Sequence, residues 1–412
     1  MSITSLCQWR AALTGSAGCL LVLLGCSTLL ADDEPGNPAG AAQSQADDAG
    51  ADPNSPEALL NRIEKLQAER PTGMSRKELA ENTLQRQRMI SDLADKILAA
   101  KPDEPTRRLA ITEKINALAR LYRGGDKKAL PRLMKFVEKL VNDPQKDIAE
   151  FARSMVFQAK LSRVSEGNLA EAAGLVKDVK KQLAADPNSS SAVDKVLQLG
   201  MALEESEETR DLAIAAYRDF STILAKSTNE RHQEYAEKFK GVIRRLSLVG
   251  KPIEFRGTLV NGEKFDPKAL EGKVVLVDFW ATWCGPCIAE LPNVKRNYEL
   301  YHDQGFEIIG VSLDDDLEAV KQFVAGREIP WPNLVGDEDS ARGWNQPMAA
   351  HYGVMSIPLT VLVDGSGKVV SLNARGEKLG QQLEKLLGKP QGESNVEAEQ
   401  ANVDEASAEA GE

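Results

Sequence analysis

Histidine is almost missing from this chain: three in 412 residues. Cysteine is scarce too. There are five, and Cys7, Cys19 and Cys26 fall within the first 26 positions. That scarcity argues against a multi-ligand zinc centre and against a fold stapled by disulfides. Excess positive charge is also lacking. The net charge is −11, so the chain has no global pull on nucleic acid or on an anionic lipid surface.

The acidity is local. Residues 31–55 carry six acids and no base, and residues 390–412 carry seven acids and no base. Both are rich in small and polar residues and lack aromatics, so they cannot bury enough apolar surface to offset chain entropy. They are expected to be a disordered linker and a disordered tail. With them and the lone Arg10 of residues 1–30 set aside, residues 56–389 net only +1.

Residues 1–30 have the form of an export signal: Arg10, then no charge from Ala11 to Ala31. Leu23-Leu24-Gly25-Cys26 resembles a bacterial lipobox, which would make Cys26 a lipidated first residue of the mature chain. Two alternatives stand beside it: cleavage after Ala31 to a soluble secreted protein, or an uncleaved anchor about 20 residues long. All three put the folded part outside the cytoplasm, on the periplasmic side. Lipidation adds a membrane tether, with 31–55 as a flexible spacer.

Residues 56–249 read as successive helices. Leu130, Leu133, Met134, Val137, Leu140 and Val141 keep one apolar stripe, and so do Ala213, Ala216, Tyr217, Phe220, Ile223 and Leu224. Ser55-Pro56-Glu57 and Ser75 with Glu78 are helix starts. Pro102, Pro144 and Pro187 lie 42 and 43 residues apart in similar turns, and Ser227 follows 40 later. The spacing predicts repeated helical hairpins, as a solenoid or a bundle. Such repeats suit a protein partner. His232, among charged neighbours, is expected to be exposed.

From 250 to 389 the texture changes to an α/β pattern. Strand-like runs occur at Val274–Phe279, Phe306–Val311, Leu359–Val363 and Val369–Leu372, with helices near 288–302, 316–327 and 377–388. The alternation predicts a sheet with at least partly parallel strands. Val260-Asn261-Gly262-Glu263 signals a hairpin.

The first strand runs straight into Cys284-Gly285-Pro286-Cys287. A cysteine opening a helix meets unpaired N–H groups and the positive end of the macrodipole, which favour the thiolate. Cys287 lies one turn on, close enough to resolve a mixed disulfide. Gly285 and Pro286 allow a tight approach and preset the first turn. A c-type haem would need His where Ile288 stands. Zinc would need ligands that the chain lacks, and an inert disulfide here would close a very short loop with little entropic gain.

VDFWATWCGPC is similar to the active-site segment of thioredoxins. WCGPCIAELP resembles the WCxPCxxExP pattern of the TlpA/ResA-like family, extracytoplasmic, membrane-tethered thiol-disulfide oxidoreductases with a thioredoxin fold. The resemblance covers about 251–389. It implies that Asp278 is the buried acid serving the resolving cysteine and that Glu290 is the active-site glutamate. A buried carboxylate of this kind should have a raised pKa. Pro292 matches the proline inside the helix. Ser356-Ile357-Pro358 looks like the cis-proline loop, with the Ile357 backbone pairing a substrate segment and Pro358 facing the cysteines. Trp283 would complete the apolar rim.

The resemblance further implies disulfide-containing protein substrates, a membrane electron donor, and no metal or cofactor. The Gly-Pro pair favours a reductant over an oxidant. Rival expectations are a binding scaffold or chaperone built on the helical repeats, and a peroxidase, for which no separate peroxidatic cysteine exists. The segment 313–350 exceeds the minimal thioredoxin pattern and is expected to add an αβ element. Its Trp331 and Trp344 are expected to pack, and Asp314-Asp315-Asp316 to cap and solvate. His302 and His351 have no partner pattern.

Overall fold

The computed structural model describes residues 52–69 and 71–390. The export signal with Cys26, most of the acidic linker and nearly all of the tail lie outside the described residues. The described chain divides into two compact units, one ending at Arg163 and one starting at Val164.

The first unit is helical: α1 (Pro56–Ala68), α2 (Arg76–Ala99), α3 (Glu104–Arg123), α4 (Ala129–Glu138) and most of α5 (Lys146–Ser165). Its starts follow from local chemistry. The Ser55 side chain accepts from Ala58 N–H, and Ser75 with Glu78 forms a reciprocal capping box. The predicted stripe is buried at Leu133, Val137 and Leu140 and packs with Leu118, Leu121 and Ile148.

The second unit opens with α6 (Leu169–Ala185), α7 (Ser190–Glu204), α8 (Arg210–Leu224) and α9 (Glu230–Leu246). Pro102, Pro144, Pro187 and Ser227 each lie in a turn between helices, as the spacing requires. His232 departs from expectation. It is 4 % exposed, with Nδ1 3.0 Å from the Pro187 carbonyl and 3.3 Å from Ser227 Oγ. Its charged sequence neighbours occupy the other faces of α9, while the ring turns inward and ties two interhelical turns together.

The α/β part follows in the same unit: β1 (Thr258–Leu259), β2 (Val274–Trp280), α10 (Gly285–Tyr301), β3 (Phe306–Ser312), α11 (Leu317–Gly326), β4 (Asn333–Val335), α12 (Pro347–His351), β5 (Leu359–Val363), β6 (Val369–Ser371) and α13 (Glu377–Leu387). The sheet order is β1-β4-β3-β2-β5-β6. β2, β3 and β4 are parallel, and the remaining pairs are antiparallel. This is the thioredoxin-type α/β domain that the sequence implies, with α11, β4 and α12 filling the long stretch between β3 and β5. The Asn261-Gly262 turn closes with Leu259 N–H on the Glu263 carbonyl at 2.9 Å. β3 is buried at every position, as a parallel strand covered on both faces must be.

β2 sorts its side chains by the two-residue period. Val275, Val277 and Phe279 pack with Ile309, Val311 and Val361, whereas Val274 and Leu276 pack with Val294, Leu379 and Leu383 of α10 and α13. Asp278 falls on the α10 side by the same alternation.

α9 docks onto residues 351–353. A Cβ on Gly241 would lie 2.5 Å from Gly353 N and 2.8 Å from Gly353 Cα. Arg245, 3 % exposed, donates to the Tyr352 carbonyl at 3.2 Å and to Glu204 at 2.8 Å, and Tyr217 donates to the same carboxylate. Gly241→Ala is therefore expected to destabilise by about 1–3 kcal/mol. Gly174→Ala, in α6 with open space around the new methyl, is expected to stabilise by about 0.5–1 kcal/mol. Urea midpoints that move in the same direction would contradict this.

Candidate functional site

β2 carries Asp278 and ends at Trp280. Ala281, Thr282 and Trp283 follow, and Cys284 is the N-cap of α10. Cys284 and Cys287 are disulfide-bonded, with Cα atoms 5.3 Å apart. The Cys287 N–H donates to Cys284 Sγ at 3.2 Å. In the reduced state that N–H and the helix end favour a thiolate on Cys284. Pro286 occupies the first turn, where its missing N–H costs nothing. A Cβ on Gly285 would meet nothing within 4 Å, so the glycine leaves the approach open.

The Ile357–Pro358 bond is cis. Ile357 and Leu359 pack against the apolar cluster that contains Cys284 and Cys287. The loop is held from behind: the Arg375 guanidinium donates to the Pro358 carbonyl at 3.0 Å and to Asn373 Oδ1 at 3.1 Å.

Glu290 does not face open solvent. Its Oε1 accepts from Gly376 N–H at 2.7 Å and from Asn293 Nδ2 at 2.8 Å. The glutamate thus clamps the loop that bears Arg375. Burial pushes Asp278 up to about 7, the charge of Glu290 adds to the rise, and Arg375 opposes it. Asp278 and Cys287 line one cavity of about 20 Å³, with Ile288, Leu291 and Trp331 among the other walls. That is room for a water molecule, which needs about 10–15 Å³.

Sequence reasoning missed three residues. Asp314 is buried; its carboxylate accepts from Thr282 N–H at 3.1 Å, Thr282 Oγ1 at 2.6 Å and Ser312 Oγ at 2.9 Å. It fixes the turn just before Trp283. Of the three-aspartate run, Asp316 is the one that caps a helix, accepting from Glu318 and Ala319 N–H of α11. The available signal was the position of Asp314 just past the C-terminal end of a buried parallel strand, where sites collect in α/β sheets. Arg375 has no such signal. Trp344 was expected to pack but is 38 % exposed, with its ring centroid 6.1 Å from that of Trp283, itself 47 % exposed. Trp331 is buried, as expected.

His351 is half-buried beside Tyr352, and its carbonyl accepts from Arg244. His302 Nδ1 lies 3.2 Å from the Phe306 carbonyl. Among the described residues no group of three or more His, Cys, Asp or Glu side chains could hold a metal ion.

A C-x-x-C at a helix start, fed by a parallel strand and faced by a cis-proline loop, defines the thioredoxin class of redox domain. Comparison with known proteins agrees. Residues 248–387 match the family model described as Redoxin. Over 142 residues the chain is 34% identical to the thiol-disulfide oxidoreductase ResA of Bacillus thuringiensis subsp. konkukian, covering 34% of this chain and 78% of that one. Against ResA of Bacillus anthracis it is 36% identical with the same coverage. Among solved structures, the thioredoxin domain of a thiol-disulfide oxidoreductase from Bacteroides vulgatus is 29% identical, covering 34% of this chain and 97% of that chain, with a TM-score of 0.31. The chain belongs to the ResA family of thiol-disulfide oxidoreductases.

Proposed function

We propose that the chain reduces protein disulfides outside the cytoplasm. The Cys284 thiolate attacks one sulfur of a substrate disulfide. A mixed disulfide forms, and the first substrate sulfur leaves as a thiolate that takes a proton from solvent. Cys287 then loses its proton and attacks Cys284 Sγ. The Cys284–Cys287 bond forms, and the second substrate sulfur leaves and is protonated. Two electrons pass from the dithiol to the substrate.

Asp278 accepts the Cys287 proton through the shared cavity, poised for this by its acidity near neutrality. The charge of Glu290 helps to raise the Asp278 pKa, and its carboxylate holds the Arg375 loop. Trp283 and the cis-proline loop at Ile357 and Pro358 receive the substrate segment, and Gly285 and Pro286 keep the sulfur approachable. The observation that carries this function is the cysteine pair at the start of α10, with Cys287 sharing a cavity with Asp278.

Location rests on the sequence alone. A lipid on Cys26 would tether the chain at a membrane, and the rival is a soluble secreted form. Among the described residues no helix is long and apolar enough to cross a membrane. Steady reduction in an oxidising compartment needs an electron donor, which family resemblance puts in the membrane. The 56–249 helices are assigned as the region that selects substrates, with α9 anchored just upstream of the cis-proline loop.

The test is a potential and an insulin assay. The expected midpoint is near that of thioredoxin, about −270 mV, with insulin disulfides reduced in the presence of dithiothreitol. A midpoint near the strong oxidants, about −120 mV, or intact insulin, would refute the reductant assignment.

A further inference from the structure

We propose that Trp283 and Trp344 together form a two-ring platform that takes one apolar or aromatic side chain adjoining the substrate cysteine. The proposal rests on the reductase function above and assigns its sequence preference.

Both rings are large apolar groups left open to solvent, 47 % and 38 % exposed, and Trp283 immediately precedes the buried Cys284. Isolated exposed apolar residues need no explanation, but an aromatic pair at a reactive sulfur does. The centroids are 6.1 Å apart and the ring planes cross at 52°. Rings so tilted leave a wedge rather than a closed stack, and the wedge is apolar on both walls.

The pair is built by one residue that serves both loops. The Asp314 carboxylate holds Thr282, immediately before Trp283, and the Asp314 carbonyl accepts from Gly343 N–H at 3.3 Å, immediately before Trp344. Gly343 has φ +58°, and a Cβ there would collide with the Asp315 carboxylate. The short turn Gly343–Asn345 closes with Gln346 N–H on the Gly343 carbonyl at 3.1 Å. Gln346 is itself fully buried and accepts from Met348 and Ala349 N–H. A floppy surface tryptophan needs none of this support.

The position fits an extended substrate. A segment laid along the cis-proline loop brings one cysteine to Cys284, and side chains adjoining that cysteine come within reach of Trp283, the residue immediately before Cys284. The occupant is thus a disulfide-bearing segment with a large apolar residue beside its cysteine.

The test uses the reduced full chain and two synthetic disulfide-bridged peptides that differ only in Trp or Ser beside the cysteine. The second-order rate constants for single-turnover reduction give a preference ratio that is independent of the amount of folded protein. The wild-type chain is expected to favour the Trp peptide about tenfold. Trp344→Ala should bring the ratio close to one, and Trp344→Phe should keep most of it. A wild-type ratio of one, or a Trp344→Ala chain slowed equally on both peptides, overturns the platform. Failure of the wild-type chain to reduce either peptide overturns the reductase function itself.

Discussion

Cys284→Ser abolishes disulfide reduction, with a loss of at least about a thousandfold, while Cys287→Ser stalls after one step and accumulates mixed disulfides on Cys284. Exposure does not separate the two cysteines, which are 4 % and 8 % exposed. Position does. Cys284 caps α10 and its Sγ accepts the Cys287 N–H, so it is the sulfur whose negative charge the helix end stabilises. Serine there offers a hydroxyl that stays protonated at neutral pH. With Cys287 removed, the first attack proceeds and the intermediate has no internal thiol to release it. Mass spectrometry of each reduced variant after exposure to a disulfide-bridged peptide reads the result. Cys287→Ser should carry a peptide adduct that dithiothreitol removes, and Cys284→Ser should carry none. Equal adducts on both variants would reverse the roles of the two cysteines.

What the sequence made legible was local. The strand ending in C-x-x-C, the helix it opens, the Ile-Pro before β5 and the caps at Ser55 and Ser75 are each written in fewer than about fifteen consecutive residues, within reach of periodicity and turn chemistry. What it concealed depended on chain segments meeting from afar. The resemblance marks Glu290 as the active-site glutamate but not its partner, the Gly376 N–H 86 positions later. Arg375 gains a purpose only from the cis-proline carbonyl, and Asp314 only from Thr282. His232 shows the same limit in the other direction. Its sequence neighbours are charged, yet the Pro187 turn supplies a buried partner for the ring. The glycine pair Gly241 and Gly353 belongs here too, since neither residue signals that two backbones touch. Composition narrows the chemistry in the same local way, because Cys284 and Cys287 are the only cysteines in the sequence beyond residue 26.

Asp278→Asn should raise stability at pH 8 and leave it unchanged at pH 4, while slowing the resolving step. In the fold Asp278 ionises near 7, against about 3.9 in an unfolded chain. Between those values the folded state keeps a proton that the unfolded state has released. Folding stability therefore falls as pH rises from about 4, and levels off above 7. About three units of difference amount to at most about 4 kcal/mol at pH 8, less where water in the adjoining cavity screens the charge. Asparagine carries no charge and removes that cost, so the gain appears only above pH 4. In the proposed mechanism the same carboxylate is the base for Cys287. Release of substrate from the mixed disulfide should rise with pH through about 7 in the wild-type chain. In Asp278→Asn that inflection should vanish, leaving a rate about a hundredfold lower at neutral pH. Thermal unfolding at pH 4 and pH 8, paired with stopped-flow release between pH 5 and 9, tests both halves. An inflection near 7 that survives the substitution would assign the proton to another group. A variant no more stable than wild type at pH 8 would mean that Asp278 is not held in an environment hostile to its charge.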